Sequence, residues 1–459
     1  MTCSTFLARA LVALALVAAP CMAAETTAER DLANGLRVIV KPDRRAPVAV
    51  VMVWYRVGSI DEVNGTTGVA HVLEHMMFKG TATTPAGAYS RIVAAAGGRE
   101  NAFTSNDFTG YFATLDKSKL DLMLGLEADR MVNLTLSPEE FAKEIKVVME
   151  ERRMRTEDQP RSLVYEQLIA TALTTHPYRN PIIGWMNDLE NMRVEDARDF
   201  YKKWYVPNNA IVVVVGDVEP REVFALAEKH FGSIPSRPLP QRKPQLEPEQ
   251  LGIKRVTVKA PAELPFVIMT FRVPALRDPE KDWEPYALKM LAAVLDGSAA
   301  ARLPRSLVRE QRIASDTDAS YDGVARGPEY FMLSATPTPG KSPAEVEAAL
   351  RREMARVISD GVTEEELNRA KAQAIAANVF QRDSMFYQAR VIGTLETAGI
   401  SHKSIETQLR KLREITSEQV REVARKYFTD DALTIAYLDP QPVKERRPPA
   451  LPSGSRHVQ

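Results

Sequence analysis

The chain has 459 residues, 45% hydrophobic and 26% charged, and its 60 Lys+Arg balance 60 Asp+Glu to a formal net charge of zero. That length is ample for two or more buried cores, and the balanced charge supplies no basic field for nucleic acid or an anionic membrane.

Residues 1–24, MTCSTFLARALVALALVAAPCMAA, carry Arg9, an apolar run from Ala10 to Ala19, and small residues at Ala23 and Ala24. This is the layout of a cleaved signal peptide, and the run is too short to span a bilayer. Pro20 directly before Cys21 fits a lipobox poorly. The leader predicts a periplasmic or secreted protein. Both cysteines, Cys3 and Cys21, would leave with it, so the mature chain has no disulfide, cysteine nucleophile or cysteine metal site.

The stretch PVAVVMVWYRVGS (47–59), rich in β-branched and aromatic residues, predicts a strand. HVLEHMMFKGT (71–81) then places two of the six histidines four residues apart. On a helix, His71 and His75 share one face and Glu74 lies on the same side. The bland reading is two partly buried histidines. The sharper one is the inverted form of the H-E-x-x-H zinc-peptidase pattern, with two imidazole ligands and Glu74 as general base for a metal-bound water. Gly68 and Gly80 bracket the helix.

NAFTSNDFTGYFATL (101–115) alternates apolar and polar residues as an exposed-edge strand does. SPEEFAKEIKVVMEERRMRTED (137–158) predicts a helix with Ser137 as N-cap, Pro138 at its first position, Glu140 at its third, and a buried stripe through Phe141, Ile145 and Val148. A catalytic zinc needs a third protein ligand and an open fourth position. Glu144, Glu150 and Glu151 on this helix are candidates, and spacing does not choose among them. The ordinary alternative is a solvated acidic face.

A proline-rich stretch at 239–250 reads as a linker between an N-terminal half, 25–238, and a C-terminal half, 251–444. The polar, proline-rich tail 445–459 is predicted disordered. In the second half, LPFVIMTFRVPA (264–275) repeats the character of the 47–59 strand. Likewise 416–442 repeats the helix, aromatic pair, turn and strand of 194–220. A duplicated α+β unit accounts for both. The duplicate's helix WEPYALKMLAAVLDG (283–297) carries no histidine, so only the first half keeps the metal chemistry.

GVAHVLEHMMFKGT, with NAFTSNDFTGYFATL, EIKVVMEERRMRTEDQP, HPYRNPIIGWMNDLENM (176–192) and NNAIVVVVGDV, resembles the pitrilysin, insulysin and mitochondrial processing peptidase family of zinc metallopeptidases. The resemblance covers essentially the whole mature chain and is weakest in the second half. It implies two homologous α/β-sandwich-like domains, each an antiparallel-rich sheet packed by helices, facing each other across a cleft. It implies one Zn2+ per chain held by His71, His75 and Glu151, with Glu74 as base and Glu144 as an orienting carboxylate. Peptide is the implied substrate, pairing as an extended strand near Asn101 and Ala102.

Single-chain members of that family bring an arginine and a tyrosine from the second half to the site. Arg309 stands in a plausible arginine position, but Ser315 occupies the tyrosine position. Three readings follow: a homologous partner chain, in a homodimer or heterodimer, supplies the pair; Tyr321 or Tyr330 substitutes; or the chain binds zinc as a non-catalytic, peptide-binding subunit. An apolar leader, not an arginine-rich one, argues against organelle presequence processing. No long acidic run marks a preference for basic substrates.

Overall fold

The computed structural model describes residues 26–442. The predicted leader and the predicted disordered tail lie outside the described residues. Two mixed sheets organise the chain. The first contains β1 (Ala28–Asp31), β2 (Arg37–Pro42), β3 (Val48–Tyr55), β4 (Arg99–Thr104), β5 (Thr109–Asp116) and β6 (Ala210–Gly216), in the order β1-β2-β6-β3-β5-β4. The second contains β7 (Lys254–Pro261), β8 (Phe266–Val273), β9 (Ala314–Ser320), β10 (Glu329–Pro337) and β11 (Leu433–Gln441), in the order β7-β11-β8-β10-β9.

With β1 set aside, the two sheets have one topology. β2 runs parallel to β6 as β7 does to β11, and every other neighbouring pair is antiparallel. The register repeats as well. Tyr55 on β3 sits opposite both Ala210 and Thr109, and Phe271 on β8 sits opposite both Leu433 and Phe331. The fold is a duplicated α+β unit. The histidine-bearing helix of the first half, Val69–Met76, has its counterpart in Glu284–Asp296, where Leu288, Leu291 and Leu295 are buried among apolar neighbours.

The central strands are apolar on both faces: all seven residues of β6, and all but the first of the eight in β3, are buried. An antiparallel-rich sheet with one wet face would alternate instead. One face of the first sheet packs on its own half's helices. The other, through Ile39, Val50, Met52, Trp54, Ile211, Val213 and Val215, is covered by Ala389 and Ile392. These two belong to a helix of the second half, Met385–Thr397. The second sheet is completed in the same way by Val164 and Leu168 of the Pro160–Ala172 helix, which comes from the first half. Each half lends the other a helix.

Residues 236–250 form neither helix nor strand but are tied down. Arg242 Nε donates to Asp61 at 2.5 Å, and Glu247 accepts from the backbone N–H groups of Thr174, Thr175 and His176. The 101–115 stretch differs from a single edge strand. Ser105 N donates to Phe108 O, closing a turn, so only β4 lies at the edge while β5 pairs on both sides.

Candidate functional site

The Val69–Met76 helix starts at a crowded point. Gly68 is left-handed at φ 89°, and a Cβ there would meet Ile183 O at 2.5 Å. Gly184, opposite it, is left-handed at φ 87°. Two glycines thus let the helix start and the 181–185 segment touch backbone to backbone. Glu62 accepts from Gly68 N and Ala70 N, each at 2.8 Å, satisfying two otherwise unpaired N–H groups of the first turn. Burial pushes the Glu62 carboxyl up to about 8, against the pull of those two N–H groups.

The facing helix, Pro138–Arg152, begins as its sequence predicts, with Ser137 Oγ accepting from Glu140 N at 3.1 Å. Phe141, Glu144 and Val148 are buried. Glu144 and Glu151 face the histidines. Glu150 instead has a side chain 61% exposed, paired with Arg153 at 3.1 Å.

Donor atoms of His71, His75 and Glu151 all lie within 4.8 Å of one another, the one such group of three among the described residues. Glu151 Oε2 is 3.8 Å from His71 Nε2 and 3.3 Å from His75 Nε2. Ligands about 2.1 Å from a tetrahedral ion sit about 3.4 Å apart. The donor spacing therefore suits an ion of zinc's size. His75 Nδ1 lies 3.3 Å from Glu144 Oε2, whose other oxygen takes Lys79 Nζ at 2.6 Å. Glu151 Oε1 is held by Arg155 at 2.5 Å.

His71 is poised as a neutral ligand, whereas the carboxylates around His75 hold that ring toward its protonated form. Burial, with His75 beside it, pushes His71 down to about 4, so its ring is neutral and its lone pair free. Burial also pulls on His75, but Glu151, Glu74 and Glu144 together raise it. A hydrogen bond from His75 holds Glu151 below the ordinary carboxyl range. Burial raises Glu74, while Thr104 Oγ1, donating to Glu74 Oε2 at 2.5 Å, works the other way.

The group opens onto a cavity of about 1300 Å³. Its first-half wall includes Asn101, Ala102 and Thr104 of the edge strand, and its second-half wall includes Tyr321, Glu329 and Tyr330. Arg309 is not brought there. Its segment, Pro304–Glu310, turns Ser306 and Leu307 inward, with Ser306 Oγ bonded to Glu353 at 2.7 Å, and Arg309 faces solvent. Ser315 is likewise exposed. Of the two tyrosines weighed as substitutes, Tyr321 donates to Pro274 O at 2.6 Å, while the buried Tyr330 hydroxyl has no partner. Sequence reading missed Thr104, Arg155 and Glu62. Arg155, one helical turn beyond Glu151, was the one with a local signal.

The remaining described histidines are committed elsewhere: His176 to Tyr178 N, His230 to Asp121 and His402 to Glu396.

A duplicated two-sheet chain that encloses a His-His-Glu group in the cavity between its halves is the class defined so far. The insulinase pattern of peptidase family M16 matches residues 37–185, and that of the M16 inactive domain matches residues 191–374. The chain is 34% identical over 420 residues to zinc protease PqqE of Helicobacter pylori, covering 89% of this chain and 92% of that one. It is 30% identical to an uncharacterized zinc protease of Mycobacterium leprae, with 92% and 93% covered. The crystal structure of a protease from Helicobacter pylori superposes with a TM-score of 0.86 at 31% identity, over 91% of this chain and 100% of that one. The chain belongs to the M16, or insulinase, family of peptidases.

Proposed function

We propose that this chain is an exported zinc endopeptidase cleaving peptides or unfolded segments. The observation that carries the reading is the convergence of His71, His75 and Glu151 within 4.8 Å beside Glu74. The names of the relatives, zinc proteases, support the choice of metal. One zinc bound there would acidify a water and polarise a substrate carbonyl. Glu74, steadied by Thr104, takes the proton from the attacking water and passes it to the departing amine. Glu144 keeps the His75 ring oriented. The free side of β4 offers unpaired backbone groups, with Asn101 and Ala102 on the cavity wall, for an extended substrate strand.

The leader sequence supports action in the periplasm or beyond. No helix among the described residues is long and apolar enough to cross a membrane.

The test is Glu74→Gln. Cleavage of a quenched peptide library falls about a hundredfold or more while zinc content stays at one per chain. Full cleavage at unchanged zinc would sink the reading.

The exposure of Arg309 and Ser315 favours a second reading, in which a homologous chain or a second copy supplies the arginine–tyrosine pair. A zinc-binding, peptide-holding subunit without turnover is the limiting case. Turnover by the purified chain as a monomer excludes both.

A further inference from the structure

We propose that Arg155 is a catalytic residue, its guanidinium donating to the oxygen of the scissile carbonyl as that oxygen takes on negative charge. The proposal rests on the peptidase reading and names the cation that lets one chain work without Arg309.

Arginines stand at 152, 153 and 155, just after the proposed ligand Glu151. Arg152 is buried and engaged by Glu166 at 2.8 Å, and Arg153 faces outward to Glu150 at 3.1 Å. Arg155 alone of the three lines the cavity. Its side chain is 73% exposed, and Glu151 Oε1, at 2.5 Å, is its one ion-pair partner among the described residues. A guanidinium carries a planar fork of N–H donors, so most of them are left for a ligand. Lys79, the other cation beside the group, is tied to Glu144 behind His75. Arg179, Lys289 and Arg390 also reach the cavity wall, but the charge that acts on His71, Glu74 and Glu151 alike is that of Arg155. A pair this exposed adds little to stability, so folding does not explain its place.

The backbone gives an independent sign. After Arg152 the helix widens at Arg153–Glu157 into a π turn, closed by Asp158 N donating to Arg153 O at 2.7 Å. Such turns are rare and recur at functional sites. This one follows directly on the helix that carries Glu151, and Arg155 stands at its centre. In the reaction the water oxygen bonds to the carbonyl carbon, Glu74 takes the water's proton, and the C=O π pair moves onto the carbonyl oxygen. The Arg155 N–H groups hold that oxygen more strongly as its charge grows. They release it when the C–N bond breaks and the amine leaves with the proton that Glu74 held. Because Glu151 already anchors the guanidinium, little ordering is left for the moment of reaction. Arg309 and Ser315 face solvent, so the first half supplies this cation from beside its own ligand.

The test uses the full-length mature chain loaded with zinc and two labelled peptide libraries, with randomised flanks, that resist cleavage. In one library a phosphinate, a tetrahedral anion, replaces the central peptide bond. In the other a ketomethylene, an uncharged trigonal carbonyl, replaces it. Fluorescence anisotropy reads binding, and atomic absorption reads zinc. The wild type binds the phosphinate about a hundredfold tighter or more. Arg155→Met lowers phosphinate affinity about thirtyfold or more, changes ketomethylene affinity by less than about threefold, and keeps its zinc. No phosphinate preference in the wild type, an unchanged preference in Arg155→Met, or an equal loss for both probes overturns the proposal. So does a loss that disappears once zinc is raised to saturation, since Arg155 then only holds Glu151 in place. The exposed position spares the core, and Arg155→Gln repeats the measurement should methionine upset the fold. Neither probe is cleaved, so failure of wild-type turnover, which would sink the peptidase reading, is a separate result.

Discussion

His75 offers its two ring nitrogens to two different carboxylates, Nε2 to Glu151 and Nδ1 to Glu144, each at 3.3 Å. The second contact fixes which nitrogen faces the metal position and adds negative charge behind the ring. Glu144→Gln keeps the shape but removes that charge and weakens the tie to Lys79. Zinc affinity, measured by competition with a chelator, falls about tenfold or more with the fold unchanged. A loss of less than about twofold would show that Glu144 does not orient the ring. The grouping of the two histidines beside Glu74 was legible at this scale because His71, Glu74 and His75 lie within one helical turn and a half, where sequence spacing is spatial spacing. Glu151 became legible only through family likeness, since Glu144 and Glu150 offered the same chemistry on the same helix. Thr104 and Glu62 touch the motif across loops, where spacing carries no information. Arg309 failed for the converse reason: a matching position in sequence does not fix which way a helical segment turns.

At the scale of elements, the reciprocal exchange of helices explains why β3 and β6 read as continuous apolar runs. The duplication itself was legible from the repeated strands, but the exchange was not, because nothing local marks a helix as belonging to the other half's sheet. Its contact point is Gly393, in the Met385–Thr397 helix. A Cβ there would overlap the Trp54 indole of β3. Helix propensity alone predicts that Gly393→Ala stabilises by about 1 kcal/mol. Overpacking against a fully buried ring opposes it with about 1–3 kcal/mol, more where the obstructed group cannot move. Trp54 is wedged against Phe103 and Phe108, with ring centroids 5.1 and 5.0 Å away, so packing wins. Gly393→Ala therefore lowers stability by about 2 kcal/mol in denaturant unfolding. Because Phe103 lies on β4, KM for peptides rises as well. An unchanged or raised midpoint would mean that the helix is not seated on Trp54.

For the whole molecule, the same helix makes the joint between halves electrostatic as well as apolar. Glu396, near its end, takes Arg37 of β2 at 3.1 Å and His402 Nδ1 at 2.8 Å. Burial pushes this carboxyl up, but the His402 ring and backbone together with Arg37 outweigh it and bring it down to about 2. Its unfolded value is near 4.5. A depressed carboxyl stabilises the folded chain fully above the unfolded value and loses that contribution as pH falls through the folded one. The window is therefore pH 4.5 down to about 2. Glu396→Gln costs about 2 kcal/mol at neutral pH once solvent screening is allowed for. The difference from wild type narrows between pH 4.5 and 3, read by urea unfolding at a series of pH values. A gap that stays constant through that window would place the role of Glu396 in shape instead of charge. Since each sheet is finished by a helix from the other half, loosening this joint exposes Trp54 and its neighbours in one half and uncovers Ala436 and Leu438 in the other. Acid then weakens both halves together, and the cavity between them is lost with the joint that closes it.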